Sequence, residues 1–403
     1  MLLTKAEAPQ RVQVVLNKTI KPKDVTGGLM MFGEQNDYPN IIESVVNSSS
    51  TAKASHSVYS KFLIGHGFNA PINDIIVGKD ARGKDIKASQ LLRMVASSIA
   101  YFNGYIIHVN KTITNEVKDC RIIPFKNFRF NMPDDLGFSS KGLIYHNWNN
   151  TDNWNKKGFQ LKDVKSYDFF TNDEKSFINQ VKKTGTIEKY NGQLFFQFFD
   201  DLYLYPLSPF DSVYLDCDTE SEISVFKNRE IRNGFMATTV MRIADTGNKE
   251  DNDAIVASVT NAMGANGDRV ILLTDKIDED TKEIVKNGSF ALDRIETNIN
   301  DKLFENWEKS LSNNIRKAIK ALPAVLIDFE QGKLSGTSGE SIVQAVTFYN
   351  AMTADDRNLI SESLGQLFSS FENPTLKNNT DWSIKPLNMF ENAAINIQST
   401  TGN

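Results

Sequence analysis

Cysteine is scarce: the 403-residue chain has two, Cys120 and Cys217. Two cysteines cannot build the disulfide framework of a small secreted fold, and both are expected as small buried apolar groups in a reducing compartment. Histidine is sparse as well, with four (His56, His66, His108 and His146) at no metal-ligand spacing. No apolar run reaches the ~18 residues a membrane-spanning helix needs. The opening MLLTKAEAPQ carries an early acid and no long apolar stretch, against a secretory signal. A basic surplus is missing too: 45 Lys and Arg face 50 Asp and Glu, a net charge of -5. Proteins that grip nucleic-acid phosphates tightly carry the opposite balance, so any such contact must be loose or local. Internal repeats are absent, and low complexity is limited to short Asn/Ser runs.

What remains is a globular composition, 40% hydrophobic and 24% charged with 26 Phe, in a chain long enough for two or three packed units. The first ~30 residues read as an arm. From Asn40, Ile41, Ile42, Val45 and Val46 share a helical face behind Asp37 and Pro39. That helix is expected to break near Ser48–Ser50, resume through Ala52, Val58 and Phe62, and end at Gly65 and Gly67. Asp74 to Asp85 reads as strand, turn and strand end, and Leu91, Leu92, Val95, Ile99 and Phe102 predict a helix over Ala88–Phe102, stopped by Gly104. From Tyr105 to Tyr205 the pattern is mostly β, with strands at Tyr105–Val109, Arg121–Pro124, Phe128–Phe130, Leu143–His146 and Phe195–Phe199. One helix near Asp173–Lys182 interrupts them.

Beyond Pro206 and Pro209 the text turns helical over Ser212–Asn233. Strands at Thr238–Ile243 and Arg269–Leu273 follow, separated by a helix over Asp251–Met263. Leu303, Trp307, Leu311, Ile315 and Ile319 then repeat every fourth residue, a helix stripe ending before Pro323. A second helical run spans Ser338–Phe371, with a break expected near Thr353. The polar tail after Pro374 is expected to be loosely ordered.

Two stretches imitate catalytic motifs. Gly78-Lys79-Asp80-Ala81-Arg82-Gly83-Lys84-Asp85 nearly spells the phosphate loop G-x-x-x-x-G-K-[ST]. It puts a carboxylate where a metal-binding hydroxyl belongs, so a solvated β-turn explains it better. Gly336-Thr337-Ser338-Gly339-Glu340 resembles a nucleophile elbow, but its fifth residue is Glu. Ser338 is more economically a helix cap, with Glu340 favouring the positive end of the helix dipole. The acidic pair Asp355-Asp356 is read as solvated charge. No catalytic constellation, cofactor site or metal site survives.

Arg316, Lys317 and Lys320 are different in kind, because no acid lies between Lys309 and Asp328. Gln331, Lys333, Ser335 and Thr337 follow in a loop whose glycines, Gly332, Gly336 and Gly339, permit hinge motion. In a monomer the basic run is a helix end suited to the negative pole of the dipole. Repeated around a ring, the same small charge would be multiplied.

The ordered features are similar to those of a known family. Gly33-Glu34-Gln35-Asn36-Asp37-Tyr38-Pro39, a helix, and Lys61-Phe62-Leu63-Ile64-Gly65-His66-Gly67-Phe68 resemble the opening of tailed-bacteriophage portal proteins, most closely those of phages of Bacteroidetes-type hosts. Tyr205-Pro206-Leu207 with Glu222-Ile223, Phe226 and Asn233-Gly234-Phe235 resembles the family's entry into its stem. Pro323–Ile327, the loop Gly332–Gly339 and the helix after it resemble the stem exit, tunnel loop and wing helix.

The resemblance implies an α+β fold with a mixed α/β wing, a helical stem and a small α/β clip. It divides the chain into an N-terminal arm (1–37), wing (38–205), first stem helix region (206–234), clip (235–298), second stem helix (299–328), tunnel loop (329–339), wing helix (340–372) and a tail or reduced crown (373–403). It implies a non-enzymatic virion subunit without cofactors, assembled in the host cytoplasm into a ring of about twelve copies at one capsid vertex. Its partners would be double-stranded DNA without sequence specificity, the terminase large subunit, the major capsid protein and a head-tail adaptor, with no membrane. The DNA-facing residues would be Arg316, Lys317, Lys320, Gln331, Lys333, Ser335 and Thr337. The competing readings are another phage structural subunit, a minor capsid or head-tail adaptor protein, and a nucleotide-binding enzyme built on Gly78–Asp85.

Overall fold

A computed structural model describes residues 28–33, 35–80, 82–146, 148, 164–200, 204–232, 238–244, 253, 270–275, 293–295, 301–328 and 338–388. The chain forms two compact units, Met1–Asp218 with Ser312–Asn403, and Thr219–Leu311.

The first unit opens with α1 (Tyr38–Ser48) and α2 (Ser50–Ile64). The expected break falls at Ser49, whose extended backbone and side chain cap α2 by accepting from the Ala52 N–H at 3.0 Å. A β-hairpin, β1 (Ile76–Lys79) and β2 (Asp85–Lys87), leads into α3 (Ala88–Phe102). All five apolar residues that predicted α3 are buried, packing it on α2 and the sheet. The stop differs from expectation. Asn103, at φ +53°, takes the left-handed position, and Gly104 already belongs to the next strand. A Cβ at Gly104 would lie 2.9 Å from the Gln197 carbonyl oxygen, so glycine is required there for close strand approach.

A six-stranded sheet follows: β3 (Gly104–Lys111), β4 (Val117–Ile122), β5 (Phe128–Phe130), β6 (Lys141–Ile144), β7 (Lys165–Phe169) and β8 (Gln193–Phe198). Their order is β4-β3-β8-β7-β6-β5, antiparallel except for β7 beside β8. Helix α4 (Glu174–Thr184) is capped by Asp173, which accepts from Ser176 N–H at 2.7 Å. The strap at residues 28–33 buries Leu29, Met30, Met31 and Phe32. Tyr205 hydroxyl ties this strap to β5, donating to Met30 O and accepting from Phe130 N–H, both at 2.7 Å.

His56 is buried between Ser97 and the Tyr101 ring. Burial pulls its imidazole from 6.5 down to about 4. The unfolded chain therefore binds more protons between these values, and stability falls as pH drops through that window. We expect a loss of about 2–3 kcal/mol between neutral pH and pH ~4 from this group. Urea melts at both pH values should show a smaller difference for His56→Gln; some slope should persist, since burial lowers His108 as well.

The chain enters the helical region through α5 (Tyr214–Arg232). In the second unit, β9 (Thr238–Ala244) lies between β10 (Val270–Asp275), parallel to it, and β11 (Asp293–Ile295), antiparallel. Of the helix expected over Asp251–Met263, only Asp253 is among the described residues, and it is helical. Helix α6 (Asp301–Ala318) carries Phe304, stacked on Phe226 at 5.6 Å, and Glu308, paired with Lys227 at 2.5 Å. Trp307 of the predicted stripe stays half-exposed, whereas Ile315 and Ile319 are buried in the first unit.

Helices α7 (Ser338–Met352) and α8 (Ala354–Phe368) break at Thr353 as expected. Its hydroxyl donates to the Tyr349 carbonyl at 2.8 Å. The loose tail expected after Pro374 is not found up to residue 388. A short α9 (Pro374–Lys377) buries Leu376, Trp382 packs on Phe368, and Lys385 exchanges backbone hydrogen bonds with His66 and Gly67.

Candidate functional site

The last turn of α6 presents Arg316 and Lys317, and Lys320 follows on the turn that ends the helix. Lys317 is exposed, while Arg316 is half-buried, donating to the Ser312 carbonyl at 3.2 Å and to the Asn313 side chain. The turn closes with Ala321 N–H on Lys317 O at 3.2 Å and Leu322 N–H on Arg316 O at 3.0 Å. Lys320 and Ala321 both adopt left-handed backbone, at φ +54° and +53°. Each such non-glycine residue costs about 1–2 kcal/mol, so the surroundings must hold the turn in place.

Three contacts do so. Tyr349 hydroxyl donates to the Ile319 carbonyl at 3.1 Å, Ile319 and Leu322 are buried, and Lys320 Nζ reaches Asp356 Oδ1 at 3.2 Å. The other Asp356 oxygen accepts from Tyr59 hydroxyl at 2.8 Å. Burial first, and the Asp356 charge second, push the Tyr59 and Tyr349 hydroxyls well above the ordinary tyrosine range. Tyr59 therefore stays a neutral donor.

Asp356 corrects the sequence reading of Asp355-Asp356 as solvated charge. Asp355 is exposed, but Asp356 is buried with two partners. The signal was available: Asp356, Ile360, Leu364 and Phe368 recur every fourth residue, which places the carboxylate on the buried face of α8. Of the three cations expected near DNA, Lys320 is engaged by this carboxylate and Lys317 faces solvent. Gln331, Gly332, Lys333, Ser335, Gly336 and Thr337 lie outside the described residues. Gly339 is the second residue of α7, and Ser338 is its first, one position later than the cap it was expected to be.

The near-phosphate-loop is a hairpin turn. Asp80 Oδ1 accepts from the Arg82 and Lys84 N–H groups at 2.8 and 2.9 Å. These backbone bonds, that of Lys84 foremost, hold the Asp80 carboxyl below its usual range. The amides a phosphate would need are thus occupied by a carboxylate. Gly78 serves packing, since a Cβ there would meet the Cys120 carbonyl oxygen at 1.9 Å. Cys120 and Cys217 are both buried. Among the described residues no group of three His, Cys, Asp or Glu side chains could hold a metal ion.

No family model and no curated protein matches this sequence. Solved structures do match its fold. A chain in the neck of a native gene transfer agent (GTA) particle, computed with C12 symmetry, aligns with a TM-score of 0.50 at 10% identity, covering 91% of this chain and 91% of that one. A chain in the neck of an empty GTA particle, computed with C6 symmetry, gives 0.50 at 10% identity over 90% and 87%. An HK97 family phage portal protein from Corynebacterium diphtheriae aligns at 0.36 and 9% identity, over 76% of this chain and 84% of that one. The likeness to the neck chains is one of fold, an α+β architecture shared over about nine-tenths of each chain.

Proposed function

We propose that this chain is the portal protein of a tailed phage or a related particle, of the Bacteroidetes-associated kind its N-terminal motifs resemble. In this reading about twelve copies close into a ring at one capsid vertex, and double-stranded DNA enters and leaves through the axis. The terminase large subunit docks on the ring during packaging, a head-tail adaptor replaces it, and the major capsid protein surrounds it. The subunit is made in the host cytoplasm and ends in the virion, without enzymatic activity of its own. The observation that carries the reading is the fold match over nine-tenths of both chains with a chain of a neck computed with C12 symmetry.

The compact unit Thr219–Leu311 supports the assignment of residues 235–298 as clip between stem helices in 206–234 and 299–328. Residues 38–205 and 340–372 then form the wing, 329–339 the tunnel loop, 1–37 the arm and 373–403 the tail. DNA that must slide needs weak phosphate contacts that read no bases. An acidic chain offering Lys317 and Lys333 per copy meets that need, with Arg316, Gln331, Ser335 and Thr337 as weaker partners. Gly332, Gly336 and Gly339 let the loop shift. Lys320, held by Asp356, positions the helix end instead.

Lys333→Glu exchanges a ring of positive charge for a negative one. Rings should still assemble, but DNA retained per particle should fall several-fold, measured by nuclease-protected DNA in purified particles. Unchanged retention would remove Lys333 from the channel, and loss of the ring would make it structural.

A further inference from the structure

We infer that the outer face of α7 is an interface with a second copy of this chain, a deepening that rests on the ring reading above. No charged residue lies between Glu340 and Asp355. Helix α7 is therefore nearly uncharged on all sides, the pattern of a helix enclosed in a larger structure. One side is enclosed within the chain. Ala345, Val346 and Tyr349 are buried, Tyr349 hydroxyl is bound to the Ile319 carbonyl, and Asn350 donates to the Leu387 carbonyl at 2.7 Å.

The opposite side is open. Phe348 and Met352, one turn apart on a single face, are 47% and 41% exposed. Exposed Gln344, Thr347 and Ala351 surround them without adding charge. An aromatic and a methionine in a charge-depleted patch have the composition of an interface core. A phosphate backbone would find no cation among the residues of α7 itself. A closed ring, by contrast, requires every copy to bury a flank of its surface against the next by a head-to-tail contact. The uncharged face of α7 fits that requirement, and its exposure in the single chain marks the surface the neighbour covers.

The test is sedimentation velocity and negative-stain imaging of the full chain, alone and co-expressed with its shell protein. Wild type is expected as rings. Phe348→Asp with Met352→Asp should sediment as a monomer with an unchanged melting temperature. Ile113→Asp, at the most solvent-exposed apolar class of site (80%), should leave the ring intact. Phe348→Ser with Met352→Ser is read in place of the aspartate pair if the latter unfolds, with the same expectation. Rings that form normally with the paired substitution would overturn this inference alone. Rings retained with a lowered melting temperature would assign the face to the chain's own residues and overturn it equally. Wild type that stays monomeric in both settings would overturn the ring reading and this inference together.

Discussion

Arg129→Ala is expected to destabilise the first unit by about 3–5 kcal/mol. Arg129 is fully buried on β5. Its guanidinium donates to the carbonyls of Phe128 at 2.6 Å, Phe125 at 3.2 Å and Asn36 at 2.6 Å, and to the Asn36 side chain. It sits 5.9 Å from the ring centroids of both Phe32 and Trp148. Burial lowers its pKa to about 10, so it remains charged at neutral pH. Truncation would take a donor from the buried Asn36 and Phe128 carbonyls and leave a cavity between the strap and the sheet, while Phe125 O would keep the Phe128 N–H. Arg129→Lys should recover little, because an ammonium cannot reproduce the planar fork that serves four acceptors. Urea melts decide it: a loss under about 1 kcal/mol would show that water or relaxation satisfies these carbonyls.

Asp356→Ala is the second large effect, expected at about 2–4 kcal/mol. It removes the acceptor for the buried Tyr59 hydroxyl and the counter-charge of Lys320 together. The two partners should contribute unequally. The Lys320 side chain is 43% exposed, so solvent screens the ion pair, and Lys320→Ala should cost under about 1 kcal/mol. Asp356→Asn keeps an acceptor and should fall between. Equal losses for Lys320→Ala and Asp356→Ala would mean that the ion pair, rather than the Tyr59 hydrogen bond, carries the contribution of Asp356.

These two residues also mark where reading the sequence stops. Helix α3 was legible to its end residues because five apolar side chains at helical spacing are bounded by a hairpin and an Asn-Gly stop. The breaks at Ser49 and Thr353 were legible because hydroxyl side chains compete with the backbone for its hydrogen bonds. Arg129 was not, since Phe128-Arg129-Phe130 reads as an alternating strand with its polar residue outward. Both faces of β5 are covered, the second by residues 28–33 and 35–37, which lie far away in sequence. Strand β7 was missed because Lys165, Ser166 and Asp168 are polar and only its neighbours β6 and β8 place it. The segment 374–388 looked loose because its composition is polar; three side chains, Leu376, Trp382 and Ile384, suffice to anchor it.

At the candidate site, Arg316, Lys317 and Lys320 were legible as a basic run, but their partners were not. Charge alone does not distinguish a cation free to meet phosphate from one held by a buried carboxylate. That distinction needed α8, whose Asp356 sits 36 residues beyond Lys320. The division of labour we propose is specific: Lys320 is paired with Asp356, and Lys317 with Lys333 would face the duplex.

In the proposed ring, copies of this chain enclose an axial channel. End-on class averages of the purified full chain, co-expressed with its shell protein, test it most directly. A closed ring of about twelve subunits with an open centre is expected. A filled assembly, an open filament, or a subunit that stays monomeric beside its shell protein would contradict it.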